Sequence, residues 1–120
     1  MKTLLLGTFL ALASSAAFAD VSGTYLKKGG ELDVKTAAQG VQFSINTSAG
    51  THTCSLGEDE RLIARPIDGN RAAWTSPDPA DQCVALLNFS NGAVQVTTKG
   101  CESYCGVGAV GSMAGKYLRK

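Results

Sequence analysis

The sequence predicts an all-β domain: a small antiparallel barrel or sandwich of about eight short strands, stapled by disulfides. Three observations carry this. Short runs alternate apolar and polar residues with period two, the signature of half-buried strands. Glycine, asparagine, aspartate and proline punctuate those runs at turn positions. Four cysteines follow an export-type leader, which places them where disulfides form.

The leader is the first element. Lys2 supplies a short positive region, "LLLGTFLALASSA" an apolar one, and Ala17-Phe18-Ala19 an A-x-A cleavage signal. Residues 1–19 are therefore expected to be a Sec-type signal peptide cleaved after Ala19, with residues 20–120 a single β-domain in the periplasm or beyond. No cysteine follows the cleavage site to carry a lipid, and no later stretch is long and apolar enough to span a bilayer.

The strands follow in order. "VSGTYLK" (21–27) puts Val21, Gly23 and Tyr25 on one face, and "ELDVK" (31–35) pairs Leu32 with Val34 after Gly29-Gly30. "VQFSI" (41–45) is the clearest alternation, with Val41, Phe43 and Ile45 inward. "THTCSL" (51–56) follows Ala49-Gly50, and "RLIAR" (61–65) precedes Pro66. "RAAWT" (71–75) follows the hairpin signal Asp68-Gly69-Asn70. "CVALLNF" (83–89) is nearly all apolar, as a strand covered on both sides would be. "AVQVTT" (93–98) follows "SNG", and "GKYLRK" (115–120) closes the chain. The expected core is Phe43, Ile45, Trp74, Val84, Leu86, Phe89, Val94 and Val96. No segment after the leader carries a helical stripe over three turns. "SGTYLKK" and "AGKYLRK" share G-x-Y-L-x-K, as strands meeting where a barrel closes could.

Charge excludes some functions. With Lys2 removed, ten basic and ten acidic residues balance. Nucleic-acid binding would want a positive excess, and a membrane surface a polybasic segment.

The stretch "CESYCGVGAVG" (101–111) is the richest in candidate chemistry. Gly106 to Gly111 spells G-x-G-x-x-G, but a dinucleotide site needs a following helix and an acidic residue about 20 positions on. Only nine residues follow Gly111, none of them acidic. Cys101 and Cys105 would lie roughly 13 Å apart on an extended chain, so a bridge between them needs a turn. The expected pairing is Cys101–Cys105 with Cys54–Cys83; the crossed pairings 54–101 with 83–105, and 54–105 with 83–101, stay open. Redox chemistry is disfavoured, because Glu102 opposes a thiolate at Cys101 and the spacing is C-x-x-x-C. His52 and Cys54 share a strand face and with Cys101 and Cys105 could form a Cys3His set, but the spacing matches no familiar zinc module. A hydrolytic triad would have to use His52 without a G-x-S-x-G elbow. No catalytic residue, metal or cofactor is assigned.

Two resemblances complete the reading. Cys54, Trp74, Cys83, "CESYCG" and the terminal G-x-Y at Gly115–Tyr117 resemble a largely uncharacterised group of small exported bacterial β-proteins with a C-x-x-x-C-G…G-x-Y signature. That likeness implies secretion and a stapled β-domain, with no activity attached. The overall pattern is also similar to periplasmic lysozyme inhibitors of the small β-barrel type. In that family an S-G-x-x-Y loop helps block the lysozyme cleft. Here Ser22-Gly23-Thr24-Tyr25 has one residue fewer between glycine and tyrosine, so no inhibitory residue is carried over.

Independently of either likeness, Glu58, Asp59 and Glu60 form an acidic loop, expected at a hairpin tip, that could be steered to a basic protein such as lysozyme. The expectation is a monomeric, non-enzymatic binding protein of the bacterial envelope. Its alternatives are a structural or antigen-like surface protein and, last, an enzyme.

Overall fold

The computed structural model describes residues 20–120; the expected signal peptide, 1–19, lies outside the described residues. Nine antiparallel strands form in the places the alternation marks. They are β1 (Gly23–Lys27), β2 (Gly30–Ala37), β3 (Gly40–Ala49), β4 (His52–Leu56), β5 (Leu62–Pro66), β6 (Arg71–Thr75), β7 (Val84–Ser90), β8 (Ala93–Lys99) and β9 (Gly115–Arg119). Eight of them close a barrel in the order β1-β2-β3-β5-β6-β7-β8-β9, and β4 is an extra strand on the upper half of β3. Closure removes the free edges that an open sheet would expose.

The inward faces follow from period two. Leu32 and Val34 of β2, Val41, Phe43 and Ile45 of β3, Val94 and Val96 of β8, and the tyrosines of β1 and β9 fill the interior. One strand departs from expectation. In β7 the inward set is Cys83, Ala85, Leu87 and Phe89, while Val84 and Leu86 are only half-buried on the outer wall. The cause is parity: Phe89 and Leu86 cannot share a face of one strand, and the larger inward set won.

The shared G-x-Y-L motif is where the barrel closes. β1 and β9 pair with Tyr25 opposite Arg119 and Leu26 opposite Leu118. Around that pair the contacts are reciprocal. Tyr25 donates its hydroxyl to the Val21 carbonyl at 2.8 Å, and Tyr117 donates to Met113 at 2.7 Å, each four residues back. Lys27 Nζ lies 5.4 Å from the centre of the Tyr117 ring and donates to the Ala114 carbonyl. Arg119 lies 4.9 Å from the centre of the Tyr25 ring and donates to the Ser22 carbonyl. Gly23 and Gly115 give each cation its passage: a Cβ on Gly23 would meet the Arg119 guanidinium at 2.7 Å, and one on Gly115 would press on Lys27.

The disulfides join Cys54 to Cys105 and Cys83 to Cys101, which corrects the expected pairing of 54 with 83 and 101 with 105. Strand order forbids the expected bridge, since β3, β5 and β6 stand between β4 and β7. Register favours the observed ones. Val84 pairs with Lys99, so Cys83 meets the residues just past β8. Gly100, at φ +73°, turns the chain so that Cys101 lands there, its Cα 4.4 Å from that of Cys83. The turn expected between Cys101 and Cys105 does form, as a 3-10 turn over Glu102–Tyr104. It sends the two sulfurs to different partners.

Residues 100–114 thereby become a pinned cover over one end of the barrel. Ala109 and Met113 are buried, and Ser112 shares a 2.6 Å hydroxyl contact with buried Thr47. The G-x-G-x-x-G stretch belongs to this cover. His52 of β4 lies against Gly106 and Gly108, where a Cβ on Gly108 would come within 2.5 Å of the imidazole.

Candidate functional site

Both β4 and β5 run antiparallel to β3 along the same edge, one after the other. Ile45 pairs with Leu56 and Phe43 pairs with Leu62, so only Ser44 lies opposite residues 57–61. The acidic segment is therefore not a hairpin tip, as expected, but a five-residue excursion between two collinear strands. The turn signal around Gly57 was real; what followed was a continuation along the same edge instead of a reversal. Ser44 beneath it is only 7% exposed, whereas Glu58, Asp59 and Glu60 are all exposed. None of the three has an ion-pair or hydrogen-bond partner among the described residues. They do not converge into a group that could hold a metal ion.

The excursion borders a weak place in the wall. β5 pairs with β6 only through Arg65–Ala73 and Pro66–Ala72, leaving Trp74 and Thr75 without a strand on that side. The cover segment fills part of the gap. The Cys54–Cys105 bridge and the Gly106 N–H, which donates to the Thr53 carbonyl at 2.8 Å, hold the 3-10 turn against β4. Tyr104 of that turn then stands edge-on to Trp74, with ring centres 6.4 Å apart, and Trp74 stands edge-on to Phe43 in the same way. Such edge-to-face pairs contribute about 0.5–1.5 kcal/mol beyond their burial.

What remains open is a hollow of about 330 Å³, lined by Leu62, Trp74 and Tyr104 and by Glu58, Asp59 and Glu60. Tyr104 is fixed there by a hydrogen bond from its hydroxyl to the Asp81 carboxylate. That bond holds the Asp81 carboxyl below the usual aspartate range and pushes the Tyr104 phenol up. Trp74 is 8% exposed, and its indole N–H has no hydrogen-bond partner among the described residues.

The acidic triplet was legible in the sequence. Trp74, Tyr104 and Asp81 were not, because long-range contacts bring them together. One signal was present: a tyrosine between two cysteines must follow wherever their partners lead. The cysteines themselves serve as staples. With Cys54, Cys83, Cys101 and Cys105 all in disulfides, none offers a thiolate to a metal or a substrate.

In comparison with known proteins, no protein family, no curated protein and no solved structure matches this chain.

Proposed function

We propose that this is an exported binding protein of the bacterial envelope that engages a basic protein through the acidic excursion and the hollow beside it. Inhibition of a lysozyme-type hydrolase is the sharpest form of that reading. It acts without a cofactor and catalyses no reaction of its own. One observation carries the proposal: three exposed carboxylates without internal partners stand on a loop that projects from the barrel wall at an aromatic-lined opening.

A solvated turn would need no such opening beside it. Exposed carboxylates on a rim act mainly by steering, raising the association rate and losing that advantage as salt screens them. The pinned cover supports the same reading, since a rigid surface loses little conformational entropy on binding.

The test is lysozyme activity and association kinetics at two salt concentrations, with the wild type and the E58Q/D59N/E60Q variant. The variant is expected to associate about tenfold more slowly at low salt, with a smaller change in dissociation. Absence of inhibition at micromolar protein would end the hydrolase reading. Inhibition unchanged in the variant would move the contact surface away from the excursion.

A further inference from the structure

We infer that the hollow beside the excursion is a socket for a single arginine side chain presented by the basic partner. This rests on the reading above and adds the group that is recognised.

The lining meets each part of an arginine. The guanidinium has five N–H donors and a fixed charge, and planar carboxylates are its best acceptors. Glu58, Asp59 and Glu60 line the mouth with no internal partner to displace. The methylene stem needs apolar cover, and Leu62 and the Tyr104 ring line the same hollow. The third match is independent of the acidic loop. Trp74 lines the hollow and is more than nine-tenths buried, yet its indole N–H is unpartnered among the described residues. Buried donors are normally satisfied. A main-chain carbonyl entering with the arginine supplies the acceptor.

Size and charge exclude other occupants. About 330 Å³ is at the low end for ligand sites, enough for one side chain and little more. Anionic ligands meet three carboxylates, and a purely apolar group leaves them without compensation. Lysine is the weaker competitor, because its ammonium cannot make paired bonds to a carboxylate. The socket is also held in shape before any partner arrives: Asp81 fixes Tyr104, and the Cys54–Cys105 bridge fixes the turn that carries it.

The chain has one tryptophan, so the socket carries its own reporter. The experiment titrates Nα-acetyl-arginine methylamide into the protein, following Trp74 fluorescence and the amide and indole N–H resonances. The citrulline counterpart, equal in shape but uncharged, is the control. A saturable response with a dissociation constant in the millimolar range is expected, with the indole resonance among those that move. Citrulline is expected to bind at least tenfold more weakly, and E58Q/D59N/E60Q to lose arginine binding by at least tenfold. The exposed Glu→Gln and Asp→Asn changes conserve volume, and the tryptophan and methyl resonances of the free variant report whether its fold is kept. Equal responses to arginine and citrulline, or resonance shifts confined to other surfaces, would overturn the socket. Lysozyme inhibition without any arginine response would leave the binding reading standing and remove this one.

Discussion

Leu86 and Leu87 are adjacent in sequence and differ in almost nothing but the direction they face. Leu87 is fully buried in the barrel, while Leu86 is half-buried on the outer wall beside Ala73 of β6. Leu87→Ala is therefore expected to cost about 2–5 kcal/mol, the range for a large side chain removed from a packed core. Leu86→Ala is expected to cost less than about 1 kcal/mol, since it opens no cavity. Urea melts of the two variants decide the matter, and equal losses would mean the face assignment is wrong. The pair also marks the limit of sequence reading at this scale. In "VALLNF" both parities are apolar, so alternation cannot choose between them. In "VQFSI" polar Gln42 and Ser44 break the tie, and Val41, Phe43 and Ile45 lie inward as expected.

At the scale of elements, the β1–β9 seam closes the barrel with very little ladder, two residue pairs, so its side chains must carry much of the closure. Tyr117 is the most enclosed of them. Burial pushes its phenol well above the ordinary tyrosine value, and Tyr25 is raised for the same reason. The folded state thus resists ionisation that the unfolded chain permits. For a group whose folded pKa is raised, the stabilising contribution is complete below the unfolded pKa, about 10, and is lost as pH rises beyond it. Wild-type stability is accordingly expected to fall above about pH 10. Tyr117→Phe removes that dependence but leaves the Met113 carbonyl without its donor, at a cost of about 1–3 kcal/mol at neutral pH. The stability gap between the two proteins should narrow from pH 9 to pH 11, read by denaturant melts across that window. A constant gap would show that the phenol ionises freely in the folded protein. The seam was half legible in advance. The repeated G-x-Y-L motif pointed to neighbouring strands, but the exchange of cations across them depends on register, which two separate motifs do not encode.

For the whole molecule, the disulfides decide how the cover is held. Cys54 and Cys105 are 51 positions apart and Cys83 and Cys101 are 18 apart. On the chain-entropy account these closures contribute about 4 and about 3 kcal/mol respectively. Their structural roles differ more than those numbers. Loss of Cys83–Cys101 frees the mouth of the β7–β8 hairpin, whose strands are also joined by a full ladder. Loss of Cys54–Cys105 frees the cover from β4 and with it the turn that carries Tyr104. The C54S/C105S protein is expected to show fast hydrogen exchange through residues 101–114 and a red-shifted Trp74 emission. The C83S/C101S protein should keep Trp74 emission near that of the wild type. Peptide mapping of the oxidised protein is expected to recover 54 joined to 105 and 83 joined to 101; any other map would displace this topology.

The sequence by itself determined that the chain is all-β, where each of nine strands lies to within a few residues, which turns join most of them, and that four cysteines and three carboxylates would matter. Those features are local: period-two alternation and turn chemistry are settled by neighbours in the chain. Only the tertiary structure decided that the sheet closes as a barrel, which way β7 faces, which cysteines meet, and that the acidic residues project from an interrupted wall strand beside Trp74 and Tyr104. Each of these depends on strand order and register. They are fixed when side chains far apart in sequence compete for one interior, and no short stretch of the chain contains that competition.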